Sequence, residues 1–277
     1  MIKLRNGVLI PKMGLGTFLM NDEEAYNAVL SAIEIGYRHI DTAQMYQNEA
    51  VIGRAIKDSK VDRKELFITT KLMYHHLKEN TKLKIMESLE KLQTNYLDLI
   101  LIHWPSHDDS INLQTWQVFE ELLEQGIVRA IGVSNFSRYQ LLKLFEGAKV
   151  KPHVNQIEHH FNLPQIATKK FLLEHDIQTI GYAPLIRGRI FSDSLKAMVE
   201  PIAIRHNATI AQVAIAWGLA KGAIMIPKST SKERQLENYE SLNLKLDLED
   251  IEKLDNIAAG KRYYSDPANN TYGKYIK

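Results

Sequence analysis

At 277 residues the chain is long enough for one large domain or for two of the common size of about 150 residues. Hydrophobic residues (45%) and charged residues (25%) stand at the proportions of a soluble globular chain, which excludes a disordered tail, a collagen-like fibre and a disulfide scaffold. Lys plus Arg (35) nearly balance Asp plus Glu (33), so no nucleic-acid partner is expected, and the absence of cysteine removes disulfides, thiol catalysis and Cys-ligated zinc.

No run approaches the roughly 18 apolar residues of a membrane span, so no membrane partner is expected. The opening Met1-Ile2-Lys3-Leu4-Arg5 has no apolar signal core behind its charges, and a cytoplasmic location is expected. Without such a signal, Asn207-Ala208-Thr209 and Asn269-Asn270-Thr271 are chance matches to the glycosylation pattern.

Residues 1–12 read as a β-hairpin, with Asn6-Gly7 as a two-residue turn between apolar flanks, placed to plug one end of whatever follows. Strands are then predicted at Gly14–Thr17, Arg38–Asp41, Leu66–Lys71, Tyr96–His103, Ala130–Ser134, Val154–Glu158, Gln178–Ala183 and Ala223–Pro227. Between them lie helical spacings. Asp22 is the expected N-cap of a helix through Ala25, Val29, Ala32 and Ile33; Leu83, Met86, Leu89 and Leu92 form a second stripe, and Phe119, Leu122 and Leu123 a third. An amphipathic helix follows Asp247 through Leu248, Ile251, Leu254 and Ile257. Eight strand-helix units with short connections match a (β/α)₈ TIM barrel, an α/β fold of about 250 residues. A doubly wound sheet would usually carry a G-x-G-x-x-G turn after its first strand; Gly14-x-Gly16 lacks the third glycine. The expectation is therefore one barrel domain over residues 1–277, with an N-terminal hairpin and an extra C-terminal helix.

In such a barrel the active site lies at the C-terminal ends of the strands. Three of the predicted strands end in Asp41, Lys71 and His103, and Tyr46 lies in the loop after Asp41. Taken singly, these read as a helix cap, a solvated loop charge and a hydrogen-bonded core histidine. Together they place a carboxylate, an ammonium, an imidazole and a phenol at one mouth. A phenol with a pKa near 10 is a poor acid at neutral pH, and a neighbouring Lys cation favours its ionised form. Asp41 can hold the charge of a buried Lys, and His103 can orient a substrate oxygen. This is equipment for reducing a carbonyl, provided that a cofactor brings the hydride.

Gly36–Ala43 (GYRHIDTA) followed by Tyr46-Gln47-Asn48-Glu49 resembles the signature of the aldo-keto reductase superfamily. So do Thr70-Lys71-Leu72, Asp98–Pro105 (DLILIHWP), Gly132–Phe136 (GVSNF) and Ile226-Pro227-Lys228-Ser229 with Arg234, Glu237 and Asn238. The resemblance runs in order over most of the chain, from Gly14 to Asn238, and is to the short-loop, prokaryotic-type NADPH-dependent carbonyl reductases. It implies a catalytic set of Asp41, Tyr46, Lys71 and His103, with Tyr46 donating the proton. It further implies NADPH as cofactor: Ser134, Asn135 and Gln156 on the nicotinamide carboxamide, Tyr182 stacked on the ring, and Gly16, Thr17, Asp41 and Leu185 nearby. Lys228, Ser229, Thr230 and Arg234 would take the 2′-phosphate, a dianion that seeks cations and hydroxyls. Glu237 and Asn238 would address the adenine.

Phe18 and Trp104, with Tyr46 and His103, are the expected substrate contacts. The connection after Trp104 and the tail after Lys261 are short, which predicts an open mouth for small polar carbonyls such as 2-oxoaldehydes or keto-sugars. The chain departs from commoner family patterns at Met73-Tyr74, Phe18, Gln156–Phe161, Ala183 and Ile186-Arg187, all around the mouth and cofactor loop. The alternative is an NADP(H)-binding barrel that serves as a regulatory or structural subunit, which would have no use for a tuned phenol. The adjacent pairs His75-His76 and His159-His160 point to opposite faces, so no metal is expected. Gly132-x-Ser134 lacks the second glycine of a hydrolase elbow, and Tyr263, Tyr264, Tyr272 and Tyr275 read as packing residues. A monomer is expected.

Overall fold

The computed structural model describes residues 1–73 and 78–267, with backbone alone at 78 and 79. Tyr74, the His75-His76 pair, Tyr272, Tyr275 and the Asn269–Thr271 sequence lie outside those residues.

Among the described residues, eight parallel strands follow one another around a barrel: β3 (Leu15–Gly16), β4 (His39–Asp41), β5 (Phe67–Leu72), β6 (Leu99–Ile102), β7 (Ile131–Ser134), β8 (Val154–Glu158), β9 (Gln178–Tyr182) and β10 (Ile224–Ile226). The ring closes between β10 and the chain entering β3. Gly14 N–H donates to the Met225 carbonyl (2.9 Å), Met225 N–H to Lys12 (3.0 Å) and Gly16 N–H to Pro227 (3.0 Å). The Gly14-x-Gly16 pair belongs to this seam. A Cβ on Gly14 would stand 2.6 Å from His39 Nδ1, and one on Gly16 would stand 2.9 Å from the Ile226 carbonyl oxygen.

Helices cover the outside: α1 (Asp22–Ile35), α2 (Glu49–Asp58), α3 (Lys78–Lys91), α4 (Asp109–Glu124), α5 (Arg138–Phe145), α6 (Ile166–Glu174), α7 (Asp193–Arg205), α8 (Ile210–Ala220), α9 (Lys232–Glu240) and α10 (Leu248–Asn256). Two of them, α7 and α8, share the crossover from β9 to β10, and α10 is the helix predicted after Asp247, which caps it. No described helix is long and apolar enough to cross a membrane.

Three local expectations change. Asn21, not Asp22, caps α1: its side chain accepts from Glu24 N–H while Glu24 reaches back to Asn21 N–H. On α3 the apolar side chains that are buried include Ile85 and Leu89, with Leu92 just beyond, whereas Leu83 and Met86 face outward. The hairpin of β1 (Ile2–Lys3) and β2 (Leu9–Ile10) turns through three residues: Leu4 pairs with Val8, and Gly7 adopts a left-handed φ of +86°. That glycine is what a three-residue hairpin loop requires. Leu4 and Ile10 plug the barrel against Phe67, Leu99, Leu101, Val154, Ile180 and Ile224, as the sequence predicts.

His39 is buried inside the barrel, with Nε2 3.0 Å from Thr69 Oγ1. Burial, and then the Lys71 charge, lower its pKa to about 3. Between that value and the ordinary one of about 6.5, the unfolded chain binds a proton that the folded chain refuses, so stability falls as pH drops through this window. Urea unfolding is expected to show less stability near pH 5 than near pH 7.5, with about 2 kcal/mol of that loss absent in His39→Asn. Equal stability at both pH values in the wild type would remove this account.

Candidate active site

The C-terminal ends of the barrel strands open into a cleft of about 850 Å³. Asp41 enters it from the end of β4, and Tyr46 from a tight helical turn over Gln44–Tyr46. Two contacts set that turn. Gln44 Nε2 donates to the Lys84 carbonyl (2.6 Å) and to Ser88 Oγ (2.8 Å) on α3. Asn48, which accepts from Thr42 Oγ1 (2.8 Å), donates to the carbonyls of Thr17 (3.0 Å) and Met20 (3.3 Å), joining the Tyr46 loop to the one carrying Phe18.

Lys71 on β5 has no exposed surface and lies behind the cleft wall. Its Nζ donates to Asp41 Oδ1 and to the Thr42 carbonyl (2.8 Å), and stands 5.1 Å from the Tyr46 ring centroid. The other Asp41 oxygen accepts from Gln156 Nε2 (2.7 Å). Burial pulls both ions toward neutrality, Lys71 down and Asp41 up, and their mutual attraction opposes it. His103 follows β6, edge-on to Tyr46 with ring centroids 5.6 Å apart. Burial, then the Lys71 charge, push its pKa well below the ordinary range, so the imidazole is neutral at physiological pH. Phe18 stands 5.0 Å from Tyr46 on the other side, and Trp104 lines the same wall. The four residues predicted from separate strands and loops thus meet at one point.

The amide and hydroxyl residues bond one another. Ser134 Oγ donates to the Gln156 carbonyl (3.0 Å); Asn135, left-handed at φ +63°, donates to the His103 carbonyl (3.1 Å) and Ser134 Oγ (3.0 Å). Asn135 Oδ1 accepts from the Tyr182 hydroxyl (2.8 Å). Gly16, Thr17, Leu185, Lys228, Ser229, Thr230, Arg234, Glu237 and Asn238 all line the cleft as well. At that far end Ser231 caps α9, and Glu237 already accepts from Thr209 Oγ1 (2.5 Å). One end of the cleft is therefore aromatic and amide-lined, and the other carries two cations with two hydroxyls. This donor set fits a long ligand with a ring at one end and a phosphate ester at the other, as a phosphorylated dinucleotide has.

Sequence reasoning places Arg187 around the mouth and cofactor loop without assigning it a role, and it misses Gly188 and Phe191, from the same connection between β9 and α7, and Tyr264 from the tail. Tyr264 is not simply a packing residue: it faces Tyr182 edge-on (5.2 Å) and Phe18 at 6.5 Å, narrowing the mouth expected to be open. The run of tyrosines is its only trace in the sequence. His159 and His160 do part ways, toward Lys169 Nζ (3.3 Å) and Glu158 Oε1 (3.0 Å) respectively. Away from the cleft, His206, Asp247 and Asp250 come close enough for a metal, but the Arg205 guanidinium already pairs with Asp250.

The sequence model of the Aldo/keto reductase family matches residues 12–259. Glyoxal reductase of Bacillus subtilis is 41% identical over 268 residues, covering 96% of this chain and 95% of that protein. Methylglyoxal reductase DkgA of Escherichia coli is 37% identical, with 96% of each covered. A solved structure of a Gox0644 mutant in complex with NADPH superposes at a TM-score of 0.92 and 35% identity, over 98% of each chain. The family match takes in the barrel and the cleft residues from Gly16 to Asn238, and the chain belongs to the aldo/keto reductase family: it is an oxidoreductase that reduces carbonyl groups with a nicotinamide cofactor.

Proposed function

We propose that the chain, working as one barrel domain, uses NADPH in preference to NADH to reduce small aldehydes and ketones, 2-oxoaldehydes and keto-sugars among them. The observation that carries this is the buried Lys71, bonded to Asp41 and set 5.1 Å from the Tyr46 ring at the foot of the cleft. Bound NADPH supplies the hydride that no side chain can. Tyr46 gives its hydroxyl proton to the carbonyl oxygen, so that hydride on carbon and proton on oxygen complete the alcohol. Lys71 stabilises the negative charge left on the phenol oxygen, and Asp41 keeps Lys71 charged in a dry site. His103, being neutral, acts as a hydrogen-bond donor that orients the carbonyl and does not compete as an acid. Ser134, Asn135 and Gln156, already ordered by their mutual bonds, hold the carboxamide end, and Tyr182 offers its ring face. Lys228 and Arg234 with Ser229 and Thr230 select the 2′-phosphate, while Phe18 and Trp104 bound the substrate. The glyoxal and methylglyoxal reductases among the relatives support small dicarbonyls as substrates.

The test is steady-state oxidation of each cofactor with methylglyoxal. NADPH is expected to exceed NADH in kcat/KM by about ten-fold or more, the worth of one charge-assisted hydrogen bond. No turnover with methylglyoxal, glyoxal or a keto-sugar in the presence of NADPH would end the reading.

A further inference from the structure

The rim of the cleft carries a cation that no carboxylate among the described residues claims. Arg187 lies between β9 and α7, on a backbone held left-handed at Ile186 (φ 53°), Arg187 (54°) and Gly188 (80°). Its guanidinium rests on the face of Tyr264, 4.9 Å from the ring centroid. Among the described residues no carboxylate pairs with it and no acceptor takes its N–H groups. Arg189 and Lys261 lie against the neighbouring Tyr263 ring (5.2 and 5.4 Å), again without a carboxylate among the described residues.

The platform under Arg187 is fixed from below. The fully buried Glu158 carboxylate accepts from the backbone N–H groups of Tyr263 (2.8 Å) and Tyr264 (3.3 Å), and His160 Nε2 lies 3.0 Å from it. Tyr264 in turn belongs to the aromatic wall that runs through Phe18 to Tyr46. Stacking on a ring leaves the in-plane N–H donors of a guanidinium free, and those donors match the two oxygens of a carboxylate or phosphate. A side chain ordered in advance loses less freedom when the anion arrives.

We propose that Arg187 binds an anionic group, carboxylate or phosphate, carried by the carbonyl substrate, so that the chain prefers anionic aldehydes and ketones to neutral ones of the same length. This rests on the reductase reading above. The other anion within reach of this chemistry is the pyrophosphate of the dinucleotide. Phe18 joins the Tyr264 ring to Tyr46 at the reacting end of the cleft, whereas Lys228 follows β10 and Arg234 lies on α9.

Matched pairs test the proposal: 6-oxohexanoate against hexanal, and 4-oxobutanoate against butanal, with NADPH affinity measured separately by fluorescence titration. The wild type is expected to favour the oxo acid of at least one pair, and added salt to shrink that preference. In Arg187→Gln the ratio of kcat/KM values, oxo acid to aldehyde, is expected to fall about ten- to a hundred-fold, with Arg187→Lys in between. Arg187 is exposed, so neither exchange opens a core cavity. A wild type without preference, or a ratio unmoved in Arg187→Gln, overturns the proposal. So does an equal loss on acid and aldehyde together with weakened NADPH binding, which would assign Arg187 to the pyrophosphate. Wild-type turnover of the neutral aldehydes reports on the reductase reading independently.

Discussion

Exchanging Tyr46 for Phe is expected to lower kcat with methylglyoxal by about two to four powers of ten, the range of a lost general acid, while NADPH binding changes little. The ring makes the packing contacts, with Phe18 at 5.0 Å and edge-on with His103 at 5.6 Å, and Phe keeps that ring. What disappears is the hydroxyl. His103 does not replace it, because burial and the Lys71 charge hold the imidazole neutral and leave it only a weakly acidic N–H to give. Water is a poor substitute, being a far weaker acid than a phenol beside the Lys71 charge. Single-turnover reduction and a fluorescence titration of NADPH, run on the same preparation, separate chemistry from binding. Full turnover in Tyr46→Phe with intact cofactor affinity would remove Tyr46 from its role.

How far the sequence could be read depends on the range over which each feature is determined. Strand after strand appears where predicted because a parallel sheet buried on both faces leaves short apolar runs such as Leu99–Ile102 between helical spacings. The residues that meet at the cleft were legible for a related reason: a strand end is a topological address, and Asp41, Lys71, His103 and Ser134 lie at or beside theirs. Arg187 and Tyr264 have no such address. The first depends on three consecutive left-handed residues, two of them not glycine, and no residue preference announces that. The second depends on Glu158, more than a hundred residues away in the chain, whose bonds to the tail backbone leave no periodicity behind. The misplaced cap and stripe have local causes. Asn and Asp are near-equal caps, so Asn21-Asp22 is ambiguous until the backbone turns. Leu83 and Met86 fit a helical stripe, but Ile85 and Leu89 fit a neighbouring one, and only the barrel decides which faces inward.

The Asp41–Lys71 pair gives the second large effect, on folding as much as on catalysis. Neither side chain has more than 3% of its surface exposed, and the Lys71 ammonium donates to the Asp41 carboxylate and the Thr42 carbonyl. Asp41→Asn preserves the shape and removes the counter-charge, and an ion pair broken this way typically costs about 3–5 kcal/mol. The alternative to an unpaired buried charge is for Lys71 to give up its proton. In the variant its folded pKa then lies further below that of the unfolded chain, which binds the extra proton at neutral pH. Stability of Asp41→Asn is therefore expected to climb as pH rises from about 7 toward the ordinary lysine value near 10.4. Asp41→Asn combined with Lys71→Met removes the buried charge altogether, so most of the lost stability is expected to return while kcat stays low, because nothing is left to stabilise the Tyr46 oxygen. Urea unfolding across that pH range, with methylglyoxal turnover on each variant, distinguishes the two contributions. An Asp41→Asn protein as stable as the wild type at neutral pH would show that the ammonium does not depend on this carboxylate. A double variant that regained turnover along with its stability would show that catalysis does not depend on the ammonium.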